Sequence, residues 1–116
     1  MMLHHASLEI AGNQLAAALG FWQALGFERV DPPSSLAGTT AWVERDSTQI
    51  HLIVTPKPTV PHLGHVAVVV PDFAAAVARL EASGTRVEPR QAHWGQPRAF
   101  ASAPGGHRVE LMAAPP

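Results

Sequence analysis

The chain of 116 residues is long enough for one compact domain, which at this size buries roughly two-thirds of the surface that its unfolded chain would expose. Hydrophobic residues make up 47% of it, charged residues make up 15%, and the net charge is −1, which argues against partners such as nucleic acid or an anionic membrane. Cysteine is absent, which excludes disulfides, thiolate catalysis and cysteine-ligated metals. No leader-like segment or long apolar run is visible, and we expect a cytoplasmic protein.

The first half of the sequence predicts a strand, a helix and three more strands. Residues 3–10 alternate polar and apolar side chains with the period of a strand. Residues 13–25 carry an apolar helical stripe, and Gly26 stands where a C-terminal cap belongs. A hairpin is expected to turn at Asp46 and Ser47. The three later strands are predicted at 27–30, 39–45 and 48–54.

The second half repeats this order after a proline-rich linker at 55–62. A strand at 63–70 leads into a helix that Asp72 is expected to cap at its start and Gly84 at its end. A turn is predicted at 103–106. The remaining strands are expected at 85–88, 97–102 and 107–112.

The two halves also match in the residues that suit a metal. The segment "LHHASLEI" aligns with "LGHVAVVV", and "TQIHLIV" aligns with "HRVELMA", so His5 corresponds to His65 and His51 to Glu110. Alternation places all four on the strand faces opposite the apolar ones, and we expect them to point into a single cavity. Imidazole and carboxylate ligands on strands suit one divalent ion of Mn, Fe, Co, Ni or Zn. The unmatched histidines are expected to face solvent or lie in loops; they are His4, His62, His93 and His107.

Four stretches carry a resemblance to a known family: "HHASLEI", "FWQALGFERV", "GHVAVVVPDFAAAVARLEASG" and "PRAFASAPGGHRVEL". In these the chain resembles the vicinal oxygen chelate superfamily, which includes glyoxalase I, methylmalonyl-CoA epimerase, extradiol dioxygenases, and fosfomycin- and bleomycin-resistance proteins. The resemblance implies an α+β fold in which two tandem βαβββ modules form a cupped eight-stranded mixed sheet. The single domain would then comprise module one (1–54), the linker (55–62) and module two (63–113).

The resemblance also implies site residues. His5, His65 and Glu110 match the set of two histidines and one carboxylate in the metal-dependent members. His51 stands where glyoxalase I has a Glu and the epimerase a Gln, and Ala-Pro-Gly-Gly-His at 103–107 replaces the usual Asp-Pro-x-Gly-Asn. In the family's chemistry the ion binds two neighbouring oxygens of a small substrate, and Glu110 or His51 would act as the base. The expected substrate-binding residues are Arg98, Trp42 and Phe100, with Trp94 a further candidate for the pocket wall.

Three functions are compatible with this pattern. The first is a metal-dependent lyase, isomerase or dioxygenase. The second is a metal-free drug-binding protein of the bleomycin-resistance type, against which the ligand set argues. The third is fosfomycin resistance, for which the expected Lys-rich loop is missing. We expect a homodimer, since many relatives exchange halves between subunits and the surface charge is low.

Overall fold

The computed structural model describes all 116 residues, which fall into two compact units, Met1–Val60 and Pro61–Pro116. The first unit contains β1 (His5–Ile10), a 3-10 turn (Gly12–Gln14), α1 (Leu15–Ala24), β2 (Glu28–Val30), β3 (Thr40–Arg45) and β4 (Thr48–Val54). Its strands form one mixed four-stranded sheet in the order β1-β4-β3-β2, in which β1 runs parallel to β4 and the other pairs are antiparallel.

The second unit repeats this plan. It contains β5 (Val66–Val69), α2 (Phe73–Ala82), β6 (Val87–Arg90), β7 (Arg98–Ser102) and β8 (Arg108–Met112), with a 3-10 turn at Pro104–Gly106. The sheet order is β5-β8-β7-β6, and β5 runs parallel to β8. The predicted α+β class and the two βαβββ modules are therefore confirmed, as two separately hydrogen-bonded four-stranded sheets. Neither helix is long and apolar enough to cross a membrane.

Each unit has a core on one face of its sheet, which leaves the other face for polar side chains. In the first unit Val43, Ile50 and Leu52 on the strands are buried together with Trp22 and Leu25. Because side chains alternate along a strand, their neighbours at the positions between them lie on the opposite face. In the second unit the buried residues are Val70, Ala76, Leu80, Val109 and Leu111. Full burial of one large aliphatic or aromatic side chain stabilises a fold by about 1.5–3 kcal/mol.

Both helices end in the same hydrogen-bonded motif around a glycine. At the end of α1 the amide of Gly26 donates to the carbonyl oxygen of Gln23 (2.9 Å), and that of Phe27 donates to Trp22 (3.1 Å). Gly84 and Thr85 repeat these bonds after α2, to Glu81 (3.0 Å) and Leu80 (2.9 Å). Both glycines have positive φ angles, +86° and +89°, as this Schellman motif requires. The two predicted C-caps are confirmed.

The hairpin turn and the start of α2 lie at the residues predicted from the sequence. Asp46 and Ser47 both adopt positive φ angles, 49° and 62°, between β3 and β4, which confirms the predicted two-residue turn. Asp72 is the N-cap residue of α2, as predicted, and its carbonyl oxygen accepts a hydrogen bond from the amide of Ala76 (2.9 Å). Its carboxylate makes no capping bond and accepts a hydrogen bond from Arg79 instead (2.9 Å).

The sixth strand lies further along the chain than predicted. It spans Val87–Arg90 and includes Pro89, whereas the sequence predicted 85–88. Proline lacks an amide hydrogen and is normally confined to strands with one free edge. Because β6 is the edge strand of its sheet, it tolerates Pro89 opposite Ala99 of β7.

Candidate functional site

A row of aromatic rings lies on the polar face of the first sheet. The register pairs Trp42 of β3 with His51 of β4 and places His5 of β1 beside Gln49. The imidazole of His51 is stacked between two rings, with its centroid 3.9 Å from that of His5 and 3.9 Å from that of Trp42. His51 is only 7% exposed, whereas His5 at the end of the stack is exposed. The stack therefore covers both faces of His51, whereas His5 lies at the exposed end of the row.

His4 joins this row although it has no counterpart in the second half. Its ring meets that of His5 edge-on, with centroids 5.2 Å apart, and the two Nδ1 atoms are 3.0 Å apart. Potential ligand nitrogens of His4, His5 and His51 all lie within 4.8 Å of one another. His4 was not among the predicted ligands because it has no matched partner in the second half, although the adjacent histidines of "LHHAS" were a visible signal.

The three imidazoles fit the demands of a divalent transition metal. Two nitrogens bound at about 2.1 Å to one tetrahedral ion lie about 3.4 Å apart, which is within the span of this cluster. The rings of His5 and His51 are nearly parallel, inclined by 14°, so their in-plane lone pairs do not converge as they stand. Binding one ion with both rings would require one ring to rotate, and His5 is the exposed one of the two. The donor set is also of the kind that these metals prefer.

Two polar neighbours determine which nitrogen of His51 carries the proton. The side-chain amide of Gln49 donates to Oε1 of Glu44 across the β3–β4 pair (2.9 Å). Its carbonyl oxygen, which can only accept, faces Nε2 of His51 at 2.7 Å. Nε2 must therefore be the protonated nitrogen of the neutral ring, and the lone pair lies on Nδ1. Partners of this kind orient metal-binding histidines in many proteins.

Electrostatics keep His51 neutral. Burial, followed by the positive charges that His5 and His4 would carry, lowers the pKa of His51 below its ordinary value of 6.5. A neutral imidazole can bind a metal or accept a proton, whereas an imidazolium can do neither. His51 is thus available for both roles at physiological pH.

Trp42 has an unused hydrogen-bond donor. Its indole Nε1 is buried and has no acceptor, which makes it the one such side-chain atom in the protein. A buried donor without a partner normally costs stability and is often found where a ligand or an ordered water binds. The predicted contribution of Trp42 to a pocket is compatible with this arrangement.

The polar face of the second sheet holds an ion-paired group around Glu110. Oε1 of this carboxylate is 3.1 Å from Nε2 of His65, and Oε2 accepts a hydrogen bond from Nε of Arg98 (2.8 Å). The side chains of Arg98 and Glu110 are 12% and 10% exposed. Phe100, which pairs with Glu110 across β7 and β8, meets the ring of His65 edge-on at 4.8 Å. Four residues predicted from the sequence are thus brought together within this unit.

The charge of Glu110 follows from these contacts. Burial alone would raise its pKa, but hydrogen bonds from Arg98 and His65, and the charges on both, outweigh burial and lower the pKa. The side chain is therefore a carboxylate at neutral pH. A carboxylate whose pKa is lowered is a good metal ligand and a weak proton acceptor, which supports the predicted ligand role over the predicted role as base.

The sequence also made predictions for three unmatched histidines, His62, His93 and His107, and for Trp94. His62 and His93 are exposed, as predicted. His107 lies in the loop before β8, which agrees with the prediction of a solvent-facing or loop residue, but it is only 5% exposed and therefore packs inward. A sequence pattern cannot show that a histidine at a strand entry packs inward. Trp94 donates from Nε1 to the carbonyl oxygen of Ala114 (2.9 Å), so it anchors the end of the chain by ordinary packing.

A separate cavity of about 250 Å³ lies between α2 and the edge of the second sheet. Its walls are mostly apolar, including Phe73, Val77 and Pro97. Arg90 and Arg98, the latter a predicted substrate-binding residue, also line it, but no histidine does, so the cavity lacks the imidazole ligands of the two polar faces.

Comparison with known proteins identifies what the fold resembles. The family model described as "Glyoxalase/Bleomycin resistance protein/Dioxygenase superfamily" matches residues 3–111. No curated protein matches the sequence.

Solved structures with this fold are distant in sequence. A glyoxalase family protein from Bacillus anthracis is 22% identical, with a TM-score of 0.85 over 97% of this chain and 93% of that one. A glyoxalase/dioxygenase from Nostoc punctiforme is 18% identical, with a TM-score of 0.77 over 99% and 92%. The bleomycin resistance determinant encoded on the transposon Tn5 is 17% identical, with a TM-score of 0.64 over 92% and 94%. At these identities the likeness shows a shared fold alone.

Proposed function

The chain belongs to the glyoxalase/bleomycin resistance protein/dioxygenase superfamily, and on that premise we propose that it is a divalent-metal-dependent enzyme. Its reaction would be that of a lyase, isomerase or dioxygenase acting on a small molecule with two neighbouring oxygens. The observation that carries the proposal is the proximity of three imidazoles, His4, His5 and His51, whose potential ligand nitrogens lie within 4.8 Å of one another. Two of its members, His4 and His5, are exposed and can therefore be reached from solvent.

His5 and His51 would hold the ion, with His4 as a third nitrogen donor. A bound divalent ion acts as a Lewis acid that stabilises negative charge developing on substrate oxygens. Because rigid strands supply His5 and His51, their backbones do not need to rearrange when the ion binds. The sequence-derived prediction that His65 and Glu110 are also ligands is a separate part of the proposal, and their own variants test it.

The protein groups around the ion would handle protons and orient the substrate. His51 is neutral at physiological pH and can accept a proton when it is not bound to metal. The indole N–H of Trp42 has no acceptor within the protein and could donate a hydrogen bond to a substrate oxygen. Arg98 is held by Glu110 at 2.8 Å, so we assign it first to the orientation of that carboxylate and only then to substrate binding.

A metal-free binding protein of the bleomycin-resistance type is the second candidate. One observation favours it: both oxygens of Glu110 are already engaged, by His65 and Arg98, as in a structural ion pair. The stacked rings of His5, His51 and Trp42 would then serve as an aromatic surface for a planar ligand.

Metal content separates the two candidates. The purified protein is analysed by mass spectrometry for Mn, Fe, Co, Ni and Zn, and then stripped and titrated with Co²⁺. We expect about one ion per chain, with affinity at least tenfold weaker in His5→Ala and His51→Ala. His93→Ala, which removes an exposed loop histidine, is the matched control and should bind as the wild type does. Equal binding by the control and by both cluster variants would refute the metal-dependent function.

The reaction class and the assembly need separate measurements. His65→Ala and Glu110→Ala should lower metal content if those residues are ligands. Oxygen uptake with a catechol would support the dioxygenase class over the lyase and isomerase classes. We also propose a homodimer, which light scattering tests directly, since a monomer mass at working concentration would exclude it.

A further inference from the structure

Three arginines surround one phenyl ring on the polar face of the second sheet. The guanidinium carbon of Arg108 lies 4.2 Å from the centroid of Phe100, and those of Arg90 and Arg98 lie 5.5 Å from it. The ring of His65 approaches the same phenyl group edge-on. Positive charge is therefore concentrated around a single apolar platform.

The neighbouring carboxylates do not balance this charge. Arg98 is paired with Glu110, and Arg90 shares Glu88 with Arg86. Arg108 takes part in no ion pair; its Nη1 donates a hydrogen bond to the carbonyl oxygen of Leu63 at 3.3 Å. Its side chain is partly exposed, so it can be reached from solvent.

The position of Arg108 prepares it to bind an anion. A guanidinium has five N–H donors in a planar fork that matches the two oxygens of a carboxylate, and only one hydrogen bond is in use here. Contact with Phe100 restricts the side chain, so less conformational freedom is lost when a ligand binds. Arg90 and Arg98 approach the same ring, but each is already paired with a carboxylate, so Arg108 is the arginine whose charge is available to an anion.

We propose that Arg108, held over Phe100, is a binding site for the carboxylate of a small organic molecule. Phe100 provides an apolar surface beside the guanidinium, which favours a carboxylate attached to a planar or aromatic group over a free inorganic anion. Arg108 and Phe100 both lie in the second unit, and neither is among the proposed metal ligands. It would give the protein a preference for acidic substrates or ligands.

The test uses benzoate as the probe and the full chain in the presence of EDTA, so that its outcome is independent of the metal proposal. Titration followed by ¹H–¹⁵N NMR should shift signals of Arg108, Phe100 and His65. Benzamide, the neutral analogue, should bind much more weakly, and so should inorganic phosphate. We expect Arg108→Gln to weaken benzoate binding at least tenfold, as for the loss of a charge-assisted hydrogen bond.

Two further variants make the result decisive. Arg29→Gln removes the same charge from an exposed position on β2 of the first sheet and should bind benzoate as the wild type does. Arg108→Lys keeps the charge but lacks the fork, so it should fold even if Arg108→Gln does not, and should bind benzoate more weakly than the wild type. The proposal is overturned if benzoate produces no shifts, if Arg108→Lys binds as tightly as wild type, or if Arg29→Gln weakens binding equally. Tighter binding of phosphate than of benzoate would also overturn it.

Discussion

The indole of Trp42 lies flat on the imidazole of His51, with ring centroids 3.9 Å apart and planes inclined by 1°. Cross-strand pairing of β3 and β4 sets these two residues directly opposite one another, and the stack follows from that register. Because of this contact, the fluorescence of Trp42 should be sensitive to an ion bound at the histidine cluster. The stack also covers the one histidine of the cluster that is buried.

Co²⁺ binding at the histidine cluster should quench the fluorescence of Trp42. A paramagnetic ion bound by His51 would lie close to the indole, whereas Trp22 is packed in the core of the same unit among apolar side chains. We expect EDTA to restore the emission. Trp42→Phe should remove most of the response while metal content stays unchanged. If Co²⁺ quenched the remaining fluorescence of Trp42→Phe as strongly as that of the wild type, the ion would not be bound beside Trp42.

The tautomer of His51 should depend on Gln49. The chain of hydrogen bonds from Glu44 through Gln49 assigns the proton to Nε2 of His51. Long-range ¹H–¹⁵N NMR of the metal-free protein at mildly alkaline pH should therefore detect a protonated Nε2 and an unprotonated Nδ1. Gln49→Leu should give a mixture of tautomers and weaken metal binding about tenfold. Gln23→Leu, on the exposed side of α1, is the control. A single unchanged tautomer in Gln49→Leu would contradict the assignment.

His51 should make stability depend on pH in mildly acidic solution. Because burial and the neighbouring histidines lower its pKa, the folded protein binds fewer protons there than the unfolded chain does. This contribution to stability is complete above the ordinary pKa of 6.5 and is lost as pH falls through the lower pKa of the folded state. Urea unfolding at about pH 7.5 and about pH 5.5 should show a larger loss for the wild type than for His51→Gln. Parallel losses in the two proteins would contradict this, and His62→Gln should behave as the wild type does.

The sequence was sufficient for the architecture because periodicity, turn chemistry and the internal repeat agreed. Gly26 and Gly84 marked both helix ends, and alternation placed His51 opposite the buried Ile50 and Leu52. Local pattern is reliable where each element has one apolar face and a clear end. The boundary of β6 was missed because proline usually argues against a strand, and only the edge position of β6 permits Pro89.

Side-chain partners could not be predicted in the same way. Glu110 was predicted as a ligand and base, but its bonds to Arg98 and His65 depend on rotamers and on cross-strand distances that no pattern encodes. The position of His4 was also not predictable from the pattern. As a neighbour of His5 on an alternating strand it would point away, yet it precedes the first residue of β1 and is free to turn toward the cluster.

Two glycines near α1 should respond oppositely to alanine. Gly26 has a φ angle of +86°, and a Cβ there would lie 2.9 Å from Nη1 of Arg45, which donates a hydrogen bond to the carbonyl oxygen of Leu25. Gly26→Ala should therefore lower the free energy of unfolding by about 1–2 kcal/mol. Gly20 lies inside the helix, and a Cβ added there would have no neighbour within 4 Å, so Gly20→Ala should raise the free energy of unfolding by about 0.5–1 kcal/mol. Urea denaturation measures both, and a shift of the same sign would contradict the assigned backbone roles.

Removal of the carboxylate of Glu110 should cost far more stability than removal of an exposed one. Glu110→Gln leaves the guanidinium of Arg98, whose side chain is only 12% exposed, without its counter-charge. We expect a loss of about 2–4 kcal/mol, because a largely buried ion pair broken on one side leaves an uncompensated charge.

Glu88 provides the matched control, since it also pairs with two arginines but its side chain is 39% exposed. Glu88→Gln should change the free energy of unfolding by no more than about 0.5 kcal/mol, because solvent screens exposed pairs. The double variant Arg98→Met/Glu110→Leu should recover much of the loss, since it removes both charges and keeps apolar volume. Equal costs for Glu110→Gln and Glu88→Gln would mean that solvent reaches Glu110, and the lowered pKa of this carboxyl would then need another cause.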